Sequence, residues 1–151
     1  MKHENYTPMK RFKDEMFYLL EPLTMSSNTV DVPAEPHLPS ELVTHLANEV
    51  KNGDTVLEYG SGGSTCFFAQ LGSIVVSVES DLRWARAVSS TLAAKKLSRT
   101  AVVLYRGLGP SRTWGHPLYN TMGPITRWRR LRYVSAPWHK TVSYKHLRAH
   151  E

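Results

Sequence analysis

The sequence predicts an α/β domain, a parallel sheet with helices packed against it. Three short apolar, β-branched runs occur at residues 55–59, 74–78 and 100–105, and amphipathic helical spacing fills the intervals between them. Strands that alternate with helices pair in parallel through right-handed crossovers. The 151 residues, 41% hydrophobic and 21% charged, match one globular domain with a core of its own.

The elements follow in chain order. Thr7 and Pro8 offer a cap and a first-turn proline, after which Met9, Phe12, Met16, Leu19 and Leu20 repeat at helical spacing until Glu21-Pro22. An N-terminal helix is expected there, followed by a proline-bearing loop over 24–39. Ser40 is placed to cap a second helix whose Leu42, Val43, Leu46, Ala47 and Val50 share a face, and Asn52-Gly53 ends it. The first strand, 55–59, runs into glycines and then into a short helix, STCFFAQL, closed by Gly72. The second strand follows at 74–78. Ser80 or Asp81 can cap the next helix, whose inner face is Leu82, Ala85, Val88 and Leu92, and the third strand ends at Tyr105. Beyond Arg106 the pattern fades into a glycine- and proline-punctuated loop and then into ITRWRRLRYVSAPWHK, expected to be a solvated amphipathic segment.

Charge is unevenly placed. The formal net charge is +6, yet residues 1–120 carry 12 basic and 12 acidic side chains, whereas residues 121–151 carry 7 and 1. The body of the domain is neutral, so no extended basic footprint for phosphates is expected. No apolar run approaches the roughly 20 residues of a membrane span, and MKHENYTPMKRFKDEM lacks the apolar segment of a signal peptide. A cytoplasmic protein is the expectation. Cys66 is the single cysteine, which leaves no intrachain disulfide and reads as a small packing residue.

The stretch from Thr55 to Asp81, TVLEYGSGGSTCFFAQLGSIVVSVESD, carries the chemistry. A strand that ends near Glu58 and turns through Gly60, Gly62 and Gly63 into a helix brings backbone N–H groups and a helix N-terminus to one point. Glu79 ends the next strand, where a carboxylate beside such a loop can accept hydrogen bonds from two ribose hydroxyls. Other phosphate and nucleophile motifs fail letter by letter. A dinucleotide fingerprint from Gly60 requires glycine where Thr65 stands, a P-loop requires a Gly-Lys pair, and a nucleophile elbow fails at Tyr59 and Cys66. A plain glycine-rich connection in an α/β protein is the alternative.

VLEYGSGGST followed by VVSVESD resembles motifs I and II of the class I S-adenosylmethionine-dependent methyltransferases, a resemblance that covers about residues 40–109. It implies a Rossmann-like sheet of strand order 3-2-1 that binds S-adenosyl-L-methionine through Glu58, Tyr59, Gly60, Ser61, Gly62, Glu79, Ser80 and Leu108. Glu58, Gly60, Ser61 and Gly62 would stand at the methionine end, Glu79 at the ribose, and Gly107 with Leu108 beside the adenine. Ser64 replaces the last glycine of motif I and could cap the helix, and YRGLGPS lacks the carboxylate that often meets the adenine amino group. The family's sheet usually has seven strands, so the chain is expected to be the N-terminal portion of such an enzyme, inactive as a fragment. Its ending, TVSYKHLRAHE, resembles translated sequencing adapter.

The expected organisation is therefore an N-terminal helix and loop over 1–39, a partial Rossmann-like cofactor-binding domain over 40–120, and a basic segment over 121–151 whose last residues, 141–151, form a non-native tail. The expected partners are the small-molecule cofactor and an unidentified methyl acceptor, without nucleic acid or membrane. No residue is assigned to catalysis. His146 and His150 share helical spacing but lack a third ligand nearby, and His3, His37, His45, His116 and His139 show no ligand spacing, so no metal is expected. Trp114, in GPSRTWGHP, is expected to pack over the cofactor edge or the core. Two other classes stay open: a noncatalytic nucleic-acid-associating protein that uses Arg127, Trp128, Arg129, Arg130, Arg132, Tyr133 and Trp138, and an NAD-linked oxidoreductase, which Thr65 weakens.

Overall fold

The structure, a computed structural model, describes residues 30–109 and 124–138. The expected N-terminal helix, Trp114 and the 141–151 tail lie outside the described residues. In chain order the elements are α1 (Ser40–Glu49), β1 (Thr55–Tyr59), α2 (Gly63–Gln70), β2 (Ile74–Glu79), α3 (Leu82–Ala94), β3 (Ala101–Tyr105), α4 (Pro124–Val134) and a 3-10 turn (Ala136–Trp138). The sheet is parallel throughout, ordered β1-β2-β3, with Thr55 opposite Ile74 and Val75 opposite Ala101. Three parallel strands in an open sheet flanked by helices make the Rossmann-like α/β architecture that the alternation of elements predicts.

Alternation along the strands sets the two faces of the sheet. Val56, Val75, Ala101 and Val103 point to the side where α2 and α3 pack, and meet Cys66, Phe68, Ala69, Val88 and Leu92 in the main core. Leu92 is 2% exposed, so Leu92→Ala would cost about 2–5 kcal/mol. Cys66 is buried here as a packing residue, with its thiol pushed up chiefly by burial. On the other face Val76 and Val78 are also fully buried, and the 3-10 turn, with Ala136 and Pro137 inside, lies against β2.

Local signals explain most boundaries, with two corrections. Asp81 caps α3, its carboxylate accepting from the N–H groups of Arg83 and Trp84. Ser40 is not a cap: Pro39 holds that position, and Ser40 opens α1, where its carbonyl accepts from Thr44 Oγ1. Ser64 does not cap α2 either. The N-cap is Gly62, and its N–H donates to Thr65 Oγ1 at 3.0 Å, the back half of a capping box. Residues 124–134, expected as a solvated segment, form a helix with Trp128 and Leu131 more than half exposed but Thr126 buried. Among the described residues no helix is long and apolar enough to cross a membrane.

Candidate functional site

The site forms where β1 and β2 end together. Gly60 leaves β1 with φ +96°, in the left-handed region that favours glycine, and its N–H donates to Val78 O at 2.8 Å. That bond is the last rung of the parallel β1–β2 ladder, in which Tyr59 lies opposite Val78, and it fixes where the loop leaves the sheet. A Cβ on Gly60 or Gly62 would meet nothing within 4 Å, so open space lies above both. Gly63 is different: a Cβ there would collide with the carbonyl group of Glu35 and stand 2.9 Å from Pro33 O. The loop before α1 is thus seated directly on the first turn of α2, a close approach that only glycine permits.

A cavity of about 770 Å³ occupies the space above the loop, within the range of small-molecule and cofactor sites. Its floor is Gly60, Ser61, Gly62, Gly63 and Ser64. Pro33, His37 and Leu38 wall one side; Glu79, Ser80, Asp81, Arg83 and Trp84 wall another; Tyr59, Leu108 and Tyr133 complete it.

Glu79 is only 8% exposed, and the partners of its carboxyl group explain why it is tolerated there. Oε2 accepts from Ser61 N–H and from Ser61 Oγ, each at 2.9 Å. Oε1 accepts from Ser80 N–H at 2.6 Å and Asp81 N–H at 2.8 Å. Four donors thus hold the carboxylate at the rim of the cavity. Asp81 is likewise engaged: Arg83 reaches it through Nε at 3.2 Å and Nη2 at 2.8 Å. Burial pushes the Asp81 carboxyl up, but the hydrogen bonds and charge of Arg83, with the Trp84 N–H, outweigh it and hold the group below its ordinary range.

Glu58 stands elsewhere. It is opposite Ser77 in the sheet register, so both side chains share the face covered by α2. Its Oε1 accepts from Ser77 Oγ at 2.8 Å and from Thr65 Oγ1. It does not line the cavity but sits beneath the glycine loop, pinning the loop's helix to the sheet. Burial raises its pKa above the ordinary carboxylate value, against hydrogen bonds from Thr65, Ser77 and Ser64.

Of the residues singled out in the sequence, the structure brings Tyr59, Gly60, Ser61, Gly62, Glu79, Ser80 and Leu108 to one cavity. Gly107 does not line it; a Cβ there would stand 3.0 Å from Cζ of Tyr105. Sequence reasoning missed Pro33, His37, Leu38, Arg83, Trp84 and, above all, Tyr133 as wall residues. Tyr133 arrives from α4, 55 residues beyond Val78, and its phenol donates to Val78 O at 3.2 Å. In return Tyr59 Oη donates to Val134 O at 2.6 Å, and the two rings lie 5.4 Å apart at 44°. Burial first, then the charge of Glu79 and the neighbouring Tyr59, push the Tyr133 phenol up to about 12.

Comparison with known proteins adds a likeness to solved structures. The chain superposes on the crystal structure of a methyltransferase-like protein from Silicibacter pomeroyi with a TM-score of 0.57 and 33% identity, over 70% of this chain and 55% of that one. It thus spans little more than half of that protein's length. No family model and no curated protein matches the chain.

Proposed function

We propose that the cavity binds S-adenosyl-L-methionine and that the chain is the cofactor-binding part of a methyltransferase whose acceptor is unidentified. One observation carries the reading: a glycine cradle open to a cavity of about 770 Å³, with the nearly buried Glu79 at its rim. The likeness to a methyltransferase-like protein supports it. The residues present suit the group. Gly60 and Gly62 leave room for close approach, Glu79 offers a carboxylate acceptor for the ribose, and Trp84, Leu108 and Tyr133 supply apolar surface for a purine. When bound, the cofactor would supply an electrophilic methyl group. The chain's own part is to orient it, since transfer between a sulfonium and a nucleophile depends chiefly on in-line alignment.

Calorimetric titration of S-adenosylhomocysteine into the protein and into Glu79→Ala tests the reading. Saturable binding that weakens at least 10-fold in the variant is the expected result, because the carboxylate that accepts from the ribose is removed. Tight binding of NADH with none of the adenosyl ligand would overturn it.

A further inference from the structure

The segment from Pro124 to Trp138 touches the rest of the molecule at a telling place. Val78 O, the carbonyl at the end of β2, accepts from two donors at once: the N–H of Gly60, which starts the glycine loop, and the hydroxyl of Tyr133, which belongs to α4. Tyr59, the last residue of β1, answers with its own hydroxyl on Val134 O, in the final turn of the same helix. The pair is reciprocal, each tyrosine of one element bonding a backbone carbonyl beside the other. The ring of Tyr133 also lines the cavity. A pKa near 12 keeps its hydroxyl a donor at any physiological pH.

We propose that residues 124–138 form a strap whose docking is thermodynamically coupled to occupancy of the cavity, with Tyr133 as the ligand-positioning residue that carries the coupling. The proposal rests on the adenosyl-ligand reading of the site. A ligand in the cavity would touch the strap only through the docked position of Tyr133, so it binds the docked form better, and linkage requires that it hold the strap down in return. The anchor sits on the carbonyl that also positions Gly60, so undocking removes a wall of the cavity and one of two partners of the loop's anchor. The rest of the strap is suited to such motion. Its outer face is Trp128, Leu131 and Val134, each more than half exposed, with Arg132 over the Trp128 ring at 4.6 Å, and only Thr126, Ala136 and Pro137 are fully buried.

Backbone hydrogen exchange, followed by mass spectrometry with and without S-adenosylhomocysteine, reads the coupling in the full chain and in Tyr133→Phe and Tyr59→Phe. Without ligand, each variant is expected to exchange residues 124–138 about 2- to 10-fold faster, the loss of one hydrogen bond to the docked form. Affinity falls by no more than that same factor. With ligand at 100 times its Kd, α2 and the strap of the parent protein are both expected to gain protection, the strap by up to about 100-fold if the undocked form does not bind. Removing the ring, in Tyr133→Ala, is expected to leave α2 protected and the strap unprotected. Protection of α2 with no change in the parent strap would overturn the coupling while leaving the ligand reading intact. Absence of protection in both, with no calorimetric heat, would remove the ligand reading and the coupling with it.

Discussion

Ser61 donates twice to one oxygen: its N–H and its hydroxyl both reach Glu79 Oε2, each at 2.9 Å. With the N–H groups of Ser80 and Asp81 on Oε1, the carboxylate's four acceptor positions are filled. A ribose hydroxyl that is to bond Glu79 must displace one donor, and only the Ser61 hydroxyl can rotate away without moving backbone. Ser61→Ala should therefore bind S-adenosylhomocysteine about 2- to 10-fold more tightly, the competing hydrogen bond being absent. Titration calorimetry on the two proteins checks this; weaker binding by the variant would show that the hydroxyl contacts the ligand instead.

Gly62 and Gly63 are adjacent and should behave oppositely. A Cβ on Gly62 meets nothing within 4 Å and its φ of 166° is ordinary extended backbone, so Gly62→Ala should change folding stability by less than about 0.5 kcal/mol. The methyl would project into ligand space, and overpacking of about 1–3 kcal/mol corresponds to roughly 5- to 150-fold weaker binding. Gly63→Ala must instead push away the carbonyls of Glu35 and Pro33, and should lower the melting temperature by several degrees. Thermal melts beside calorimetry separate the two effects.

The parts legible in the sequence were those governed by local pattern. Val75, Val76 and Val78 announce a buried strand whatever surrounds them, and Asp81 before Leu82 announces a helix start. Glu79 was found at the rim because a strand's end and the next helix's cap both mark its place. The segment was legible as amphipathic but its docking was not, because the apolar residues of α4 at helical spacing, Trp128, Leu131 and Val134, stand exposed. Four of its eleven residues are arginine and Thr126 is its only fully buried side chain, so its position is decided by Tyr133 and Val134 meeting residues far away in sequence. Pro33 and His37 were missed for a related reason. The loop that carries them is located by its backbone against Gly63, and a backbone contact leaves no trace in the side chains of the loop itself. Glu58 was legible as a residue and not as a partner, since its register with Ser77 and its bond to Thr65 exist only once the sheet and α2 have met.

Glu58 should make stability depend on pH in the unusual direction. Burial raises its folded-state pKa above its ordinary value of 4.5, so its contribution is fully present below pH 4.5 and is lost as pH rises through the folded value. Glu58→Gln keeps an oxygen able to accept from both Thr65 and Ser77 and removes the ionisation. The melting temperature of the variant relative to the parent should therefore climb from about pH 4.5 upward, as the parent's buried carboxyl is forced to ionise. Calorimetric scans from pH 4 to 8 follow this. A variant that loses ground as pH rises would show that the ionised carboxylate stabilises the loop.

Asp81 predicts the reverse slope, and its two roles can be separated. Its folded-state pKa lies below the ordinary 3.8, so its contribution is present above pH 3.8 and disappears as pH falls through the folded value. The cap on Arg83 N–H and Trp84 N–H supplies most of it, because the Arg83 guanidinium is 43% exposed and an exposed ion pair adds little. Asp81→Ala should cost about 0.5–2 kcal/mol at pH 7 in urea denaturation, and the difference should shrink as pH falls below 3.8. Asp81→Ser retains a capping oxygen while discarding the charge, so it should recover most of the loss at pH 7 and show little change with pH. Failure of serine to recover stability would place the contribution in the Arg83 pair rather than in the cap.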